Sequence, residues 1–349
     1  MPITKLNINE FLEFASGHLI LDVRSPGEYE HAHIPGAIAL PLFTNEERKI
    51  VGTAYKQESR ENAIKIGLEF FGTKTVKLIE EVEKIITEKK LSKEVGVHCW
   101  RGGMRSAAVA WLLDLYGFKV TLLNGGYKAY RNWAIKQFDK EYHLLIVGGY
   151  TGSNKTGVLQ ELKINGEKII DLEALAGHKG SAFGNLNLHA QPSQEMFENL
   201  LANELNKHSQ NNSVIWIEDE GQRLGNINIP FSFFNVMRNH PVLFLNIPFE
   251  ERLNHIIEGY KKYSKEKLIN AIVRIKKKLG GLETKTAINF LLEDDLQNCF
   301  SVLLKYYDKL YLRSTYNRED AETKITLINL PTTNATLNTQ LLLNDVKPG

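Results

Sequence analysis

Cys99 is one of only two cysteines in 349 residues, and it heads the stretch CWRGGMRS, residues 99–106. The residues before it, VGVH, read as an apolar strand. Those after it, SAAVAWLLDLYG (106–117), read as a helix closed by a glycine. A thiol between a strand end and a helix N-terminus meets loop amides and the positive end of the helix, and both favour negative charge. Arg101 and Arg105 add two cations. The expectation is a thiol that ionises more readily than a free cysteine and acts as a nucleophile, with Cys99, Arg101 and Arg105 as the catalytic set. Two glycines let the backbone curl round a charged sulfur. The same pattern also accommodates a buried structural cysteine. A structural zinc site is not expected, because only His98 stands near Cys99 at all.

A second candidate site begins at GGYTGSNKT (148–156), between the apolar run LLIVGG (144–149) and the helix-compatible VLQEL. It resembles a Walker A loop. Gly149, Gly152 and Ser153 belong to an amide-lined phosphate cradle, Lys155 reaches outer phosphates, and the Thr156 hydroxyl suits Mg²⁺. Asn154 stands where that motif has glycine. The position favours left-handed backbone, which asparagine adopts at lower cost than other side chains. A glycine-rich turn with no ligand is the alternative. SVIWIED (213–219) reads as a strand ending in Glu218-Asp219-Glu220, placed to hold a cation, with Thr156 and Asp219 the candidate Mg²⁺ ligands and Glu218 beside them. Carboxylates at a strand end are otherwise simply solvated. GHKGSAFG (177–184), after DLEALA read as a strand, is expected to be a loop at the sheet's carboxyl edge. There His178, Lys179 and Ser181 would line the same site, or stay in solvent.

The elements that must hold these loops alternate in type. HLILDV (18–23), IPGAIALPL (34–42), VGVHC (95–99) and KVTLLNGG (119–126) read as strands, with helical spacing over 61–88 and 106–117. LLIVGG opens a second series through KIIDL, SVIWIED, PVLFLNI and TKITLINL. The fold class is therefore α/β, with a first domain at 1–138 and a second at 139–349 that includes a helical segment at 250–312. Residues 251–285 carry ten Lys/Arg against four Asp/Glu. Lys261, Lys262, Arg274, Lys276 and Lys277 could grip an RNA backbone while Tyr260 and Tyr263 stack on bases, or form a solvated helix face.

Composition sets bounds. The chain is 43% hydrophobic and 24% charged, with a net charge of +2 too small to imply a nucleic-acid partner by itself. No apolar run approaches the ~20 residues that span a bilayer. The N-terminal MPITKLNINEFLEF lacks the order of a signal peptide. Two distant cysteines make no disulfide framework, and a reducing cytoplasm is the expected location.

CWRGGMRS, with the upstream LDVRSPGEYEHAHIPGAIAL, resembles a rhodanese domain. That resemblance implies a sulfur or selenium adduct on Cys99, an anion held by Arg101 and Arg105, and structural roles for Asp22, Arg24 and His33. A phosphatase also uses a Cys-x5-Arg-Ser loop and is the less favoured reading. NEERKIVGTAYKQESRENAIKIGLE (45–69), AGHKGSAFG (176–184), IEDEGQRLG (217–225), RIKKKLGG and LLKYYDKLY (303–311) follow in order. Together these stretches resemble the tRNA 2-selenouridine synthase family. The resemblance implies a rhodanese-like α/β domain followed by a P-loop NTPase-like α/β domain with a basic helical segment. It implies a tRNA substrate carrying 2-thiouridine in the anticodon, with geranyl diphosphate and selenophosphate as co-substrates, no covalent cofactor, and Mg²⁺ as a candidate ion. An enzyme supplying selenophosphate is a candidate partner. Rival readings are a sulfurtransferase fused to a P-loop ATPase or kinase, and a nucleotide-controlled RNA-binding module without catalysis.

Overall fold

The computed structural model describes residues 3–178, 190–209 and 213–345. The chain divides into two compact units, 1–137 with 198–200, and 138–197 with 201–349.

The first unit is built on a parallel sheet. Its strands are β1 (Thr4–Leu6), β2 (Leu19–Asp22), β3 (Ile38–Ala39), β4 (Glu94–His98) and β5 (Lys119–Leu123), in the order β1-β5-β4-β2-β3. β2 is buried along its whole length and β4 from Val95 onward. They therefore read as near-continuous apolar runs, as strands covered on both faces must. The helix Thr75–Lys89 turns Leu78, Val82 and Ile86 inward at a spacing of four, forming one stripe against this core. The helix Met104–Leu115 buries Val109, Ala110, Leu112 and Leu113.

The second unit is also a parallel sheet, with β6 (Leu144–Gly149), β7 (Lys168–Ile170), β8 (Ile215–Glu218), β11 (Val242–Asn246) and β12 (Ile325–Asn329). A two-residue hairpin, β9 (Arg223–Leu224) and β10 (Ile227–Asn228), stands apart from it. The order is β12-β11-β6-β8-β7, so the chain winds outward in both directions from β6. Ligands of such sheets bind beyond the carboxyl ends of the strands where the order reverses, here at Gly149.

One expectation changes. LEALA is not a strand but a short helix, Leu172–Ala176, after the strand Lys168–Ile170. Asp171 caps it by accepting the Ala174 N–H, and Gly177 ends it with φ +59°. The helical stretch at 250–312 is a bundle: Phe249–Tyr260, Lys265–Arg274, Lys276–Leu279, Gly281–Leu292 and Leu296–Tyr316. Leu253, Leu268, Ile272, Leu291, Phe300 and Leu304 form its core. Cys299 lies in that core, where burial pushes its thiol up to about 12 and makes it inert. Among the described residues, no helix is long and apolar enough to cross a membrane.

Candidate functional site

In the first unit Cys99 follows β4, the middle strand, and the helix Met104–Leu115 begins five residues later. The loop closes against the Gly125-Gly126 turn after β5. Tyr127 N–H donates to the Cys99 carbonyl at 2.8 Å and Lys128 N–H to that of Trp100 at 2.9 Å. A side chain on Gly126 (φ +59°) would put its Cβ 2.3 Å from the Cys99 carbonyl oxygen, which is why the turn holds paired glycines.

Cys99 is buried, with Sγ 3.2 Å from Ser106 Oγ and accepting the Gly103 N–H at 3.3 Å. Burial by itself would raise the thiol. The hydrogen bonds from Ser106 and Gly103 and the charge of Arg105 outweigh it and hold the thiol below its ordinary value. Arg105 does not stand free beside the sulfur: Nη1 donates to Glu28 Oε2 at 2.8 Å, and Nη2 reaches Oε1 at 3.4 Å. Burial would raise the Glu28 carboxyl, yet Arg105, the Ser25 N–H and Arg48 bring it down to about 2. Arg101 is exposed. Beneath the loop, Arg24 pairs with Asp22 at 2.6 Å, donates to the Ala32 carbonyl and lies 3.8 Å over the Tyr127 ring. His33 accepts its place in a turn, bonded through Nδ1 to Tyr29 O and stacked on the Tyr29 ring at 3.9 Å. Ser106 and Glu28 lie in the two rhodanese-like stretches, but the sequence assigns neither a role. The Arg-Ser pair that opens the helix was the available signal for the first.

In the second unit the loop after β6 runs into the helix Lys155–Ile164, with Asn154 left-handed at φ +60° and ψ +38°. Lys155 Nζ donates to the Gly149 carbonyl at 3.0 Å and lies 5.0 Å from the centre of the Tyr311 ring. Ser153 is buried within the loop, its Oγ without a hydrogen-bond partner among the described residues. Thr156 Oγ1 donates to Glu173 Oε2 at 3.2 Å.

Glu173, Glu218 and Glu220 each offer a carboxylate oxygen, all within 4.8 Å of one another. Glu218 is fully buried. Its Oε1 accepts the Glu173 N–H at 2.8 Å, and its Oε2 has no partner among the described residues. Burial, then the neighbouring carboxylates, push Glu218 well above its usual range. Burial likewise pushes Glu220 to about 8, with Glu173 and Asp219 adding to it and Lys155 opposing. Such a group is stabilised by a cation.

Asp219, expected from sequence as an ion ligand, is engaged by other side chains. Its Oδ1 accepts Arg318 Nη2 at 2.8 Å and its Oδ2 the Tyr311 hydroxyl at 3.2 Å. Successive side chains on a strand point to opposite faces, so Asp219 turns away from the group that Glu218 joins. Glu173, from the short helix after β7, completes the group with Glu218 and Glu220. His178 is buried beside this group. Burial lowers its imidazole pKa, so it favours the neutral form, with Glu173 opposing. Lys179 and Ser181 lie outside the described residues.

Lys261, Lys262, Arg274, Lys276 and Lys277 are all exposed on the helical bundle. Lys261 pairs with Glu258 at 2.5 Å. The tyrosines beside them are not open stacking platforms. Tyr260 stacks on Phe300 at 5.6 Å, and Tyr263 packs at the edge of the bundle core.

A thiol loop at the end of a middle parallel strand and a phosphate-type loop on a second parallel sheet define a rhodanese-like domain joined to a P-loop domain. Residues 8–132 match the rhodanese-like domain family, and residues 142–328 match the family described as the tRNA 2-selenouridine synthase AAA domain. The chain belongs to the tRNA 2-selenouridine synthase family. It is 38% identical over 249 residues to the tRNA 2-selenouridine synthase of Nitrosomonas europaea, covering 69% of this chain and 63% of that one. The Bdellovibrio bacteriovorus protein of the same name is 39% identical, with 69% and 64% covered. The Pseudomonas putida W619 protein is 32% identical over 326 residues, with 84% and 87% covered. The chain thus spans less than two thirds of the length of the first two relatives.

Proposed function

We propose that this chain modifies the wobble uridine of tRNA. It would first geranylate the sulfur of 2-thiouridine from geranyl diphosphate, then replace that sulfur with selenium from selenophosphate. The observation that carries the reading is a division of chemistry. One strand end holds a thiol stabilised as an anion, and another holds a phosphate-type loop beside three carboxylates.

In the first step the thiouridine sulfur attacks C1 of the geranyl group, and the C1–O bond breaks to release diphosphate. Gly149, Gly152, Ser153, Lys155 and Thr156 bind the diphosphate, with Lys155 offsetting its charge. The unpartnered Oε2 of Glu218 and the Thr156 hydroxyl facing Glu173 fit a divalent cation. Thr156, Glu173, Glu218 and Glu220 would hold Mg²⁺, which would supply charge neutralisation at the leaving diphosphate. His178 lines the same site. In the second step the selenium of selenophosphate attacks C2 of the geranylated base and geranyl thiol leaves; water then cleaves the Se–P bond, releasing phosphate and leaving 2-selenouridine, with Cys99 directing the selenium donor. Arg101 supplies charge from solvent, and Arg105 supplies charge that its partner Glu28 partly offsets. The exposed Lys261, Lys262, Arg274, Lys276 and Lys277 bind the tRNA around its anticodon. The reaction belongs to a reducing cytoplasm, with an enzyme supplying selenophosphate as partner.

The test is mass spectrometry of nucleosides from thiolated tRNA treated with geranyl diphosphate and then selenophosphate. Cys99→Ala should stop at S-geranyl-2-thiouridine, and Lys155→Ala should leave 2-thiouridine unchanged. Selenation by the first variant and geranylation by the second would refute the division.

A further inference from the structure

Beside the phosphate loop lies a cleft of about 530 Å³. Its wall on the loop side is Tyr150, inside GGYTGSNKT. The other apolar walls are Ile247, Pro248, Phe249, Leu330 and Pro331, and three polar residues, Asn246, Arg252 and Asn329, complete it. Those polar groups are already engaged with protein. Asn246 Nδ2 donates to Asn329 Oδ1 at 2.7 Å. Arg252 donates to the Ile247 and Thr151 carbonyls and to both carboxylate oxygens of Asp308, with its guanidinium 4.7 Å over the Tyr150 ring. Six of the nine lining residues thus offer a ligand hydrocarbon and ring surface. That favours an aliphatic chain over a heterocyclic base, whose donors and acceptors would need free partners.

One cleft wall, Leu330 and Pro331, opens a segment that runs to Asn334 between β12 and the helix Ala335–Asp345. This segment is tied to the phosphate loop by Asn154. Its Nδ2 donates to the Thr333 carbonyl at 3.0 Å. The asparagine side chain fits only because residue 157 has none. A Cβ on Gly157 would stand 2.4 Å from Asn154 Oδ1 and 2.7 Å from its Cγ and Nδ2. The substitution of asparagine for the motif's glycine is thus matched by a glycine one turn below and by a carbonyl 179 residues on.

We infer that this cleft is the subsite for the prenyl chain of a diphosphate ester, and that Asn154 is a positioning residue that latches the segment continuing from its Leu330–Pro331 wall to the phosphate loop. The inference rests on the reading of that loop as a diphosphate cradle.

The experiment measures binding of inorganic diphosphate, geranyl diphosphate and ADP, each with Mg²⁺, to the full chain. Wild-type protein should bind geranyl diphosphate about tenfold or more tightly than inorganic diphosphate, because the chain buries apolar surface. Asn154→Gly keeps the left-handed backbone and loses the latch. Gly157→Ala displaces the Asn154 side chain and favours the helix itself. Each should lower the geranyl advantage severalfold while leaving inorganic diphosphate within about twofold. Gly157→Ala should add nothing in the Asn154→Gly background, an epistasis that general destabilisation would not produce. An unchanged geranyl advantage in both variants overturns the inference. So does a larger, equally latch-sensitive advantage for ADP, which gives the cleft to a base. Failure of wild-type protein to bind any of the three overturns the cradle reading and this inference with it.

Discussion

Ser106 Oγ stands 3.2 Å from Cys99 Sγ, although seven residues separate them in the chain. The hydroxyl also lies 3.1 Å from the Gly103 carbonyl: its single proton bonds that carbonyl beside the neutral thiol and turns to sulfur in the thiolate. Ser106→Ala removes that proton from the thiolate and leaves burial less opposed. The thiol should then titrate higher. Absorbance of the thiolate near 240 nm against pH should show the midpoint rise, with a drop of about threefold or more in reaction with a small alkylating agent at neutral pH. An unchanged midpoint would mean that Arg105 and Gly103 suffice.

Glu28 ties the same loop to acid stability. Its carboxyl titrates at about 2 in the fold against an ordinary 4.5. A depressed carboxylate contributes stability that is present above the unfolded value and is lost as pH falls through the folded one. The window is therefore pH 4.5 down to 2, and the contribution at neutral pH is roughly 3 kcal/mol at most. Glu28→Gln should flatten the fall of melting temperature across that window. It should also lower the Cys99 midpoint, because Arg105 loses its counter-charge. Calorimetry against pH and the thiolate titration check the two halves separately.

The division of the carboxylates after β8 yields opposite signatures. Glu218→Gln and Glu173→Gln remove ligands from the cation group and should raise the Mg²⁺ concentration needed for geranylation by about tenfold or more, with little loss of melting temperature. Asp219→Ala leaves Arg318 buried without its carboxylate. It should cost roughly 3–5 kcal/mol of stability, read in denaturant, while leaving the Mg²⁺ requirement of the remaining folded protein unchanged. A shifted Mg²⁺ requirement in Asp219→Ala would return that residue to the cation site.

Lys276 and Lys277 are exposed, so reversing them tests RNA contact with little disturbance of packing. Lys276→Glu with Lys277→Glu should weaken tRNA binding and reduce the slope of log affinity against log salt by about one per lost phosphate contact. Melting temperature should stay within about two degrees. Unaltered binding at low salt would place the RNA surface elsewhere.

Much of this protein is legible in its chain order. Strand, loop and helix follow one another around both Cys99 and Lys155, because each loop draws its character from the elements on either side of it. Asn154 is a local case as well. Left-handed backbone is a property of the residue and its own turn, and φ +60° is what asparagine in place of glycine implies. LEALA shows where local reading fails: an apolar pentapeptide fits strand or helix, and the Asp171 cap with the Gly177 turn decided for the helix. What the sequence could not supply are the partners brought from afar. Glu28 reaches Arg105 across 77 residues, Glu173 meets Glu218 across 45, and Asn154 meets Thr333 across 179. Only sheet order and register set those meetings. The alternation of side chains along a strand then separated Asp219 from Glu218, two adjacent carboxylates equivalent in sequence and opposite in the fold.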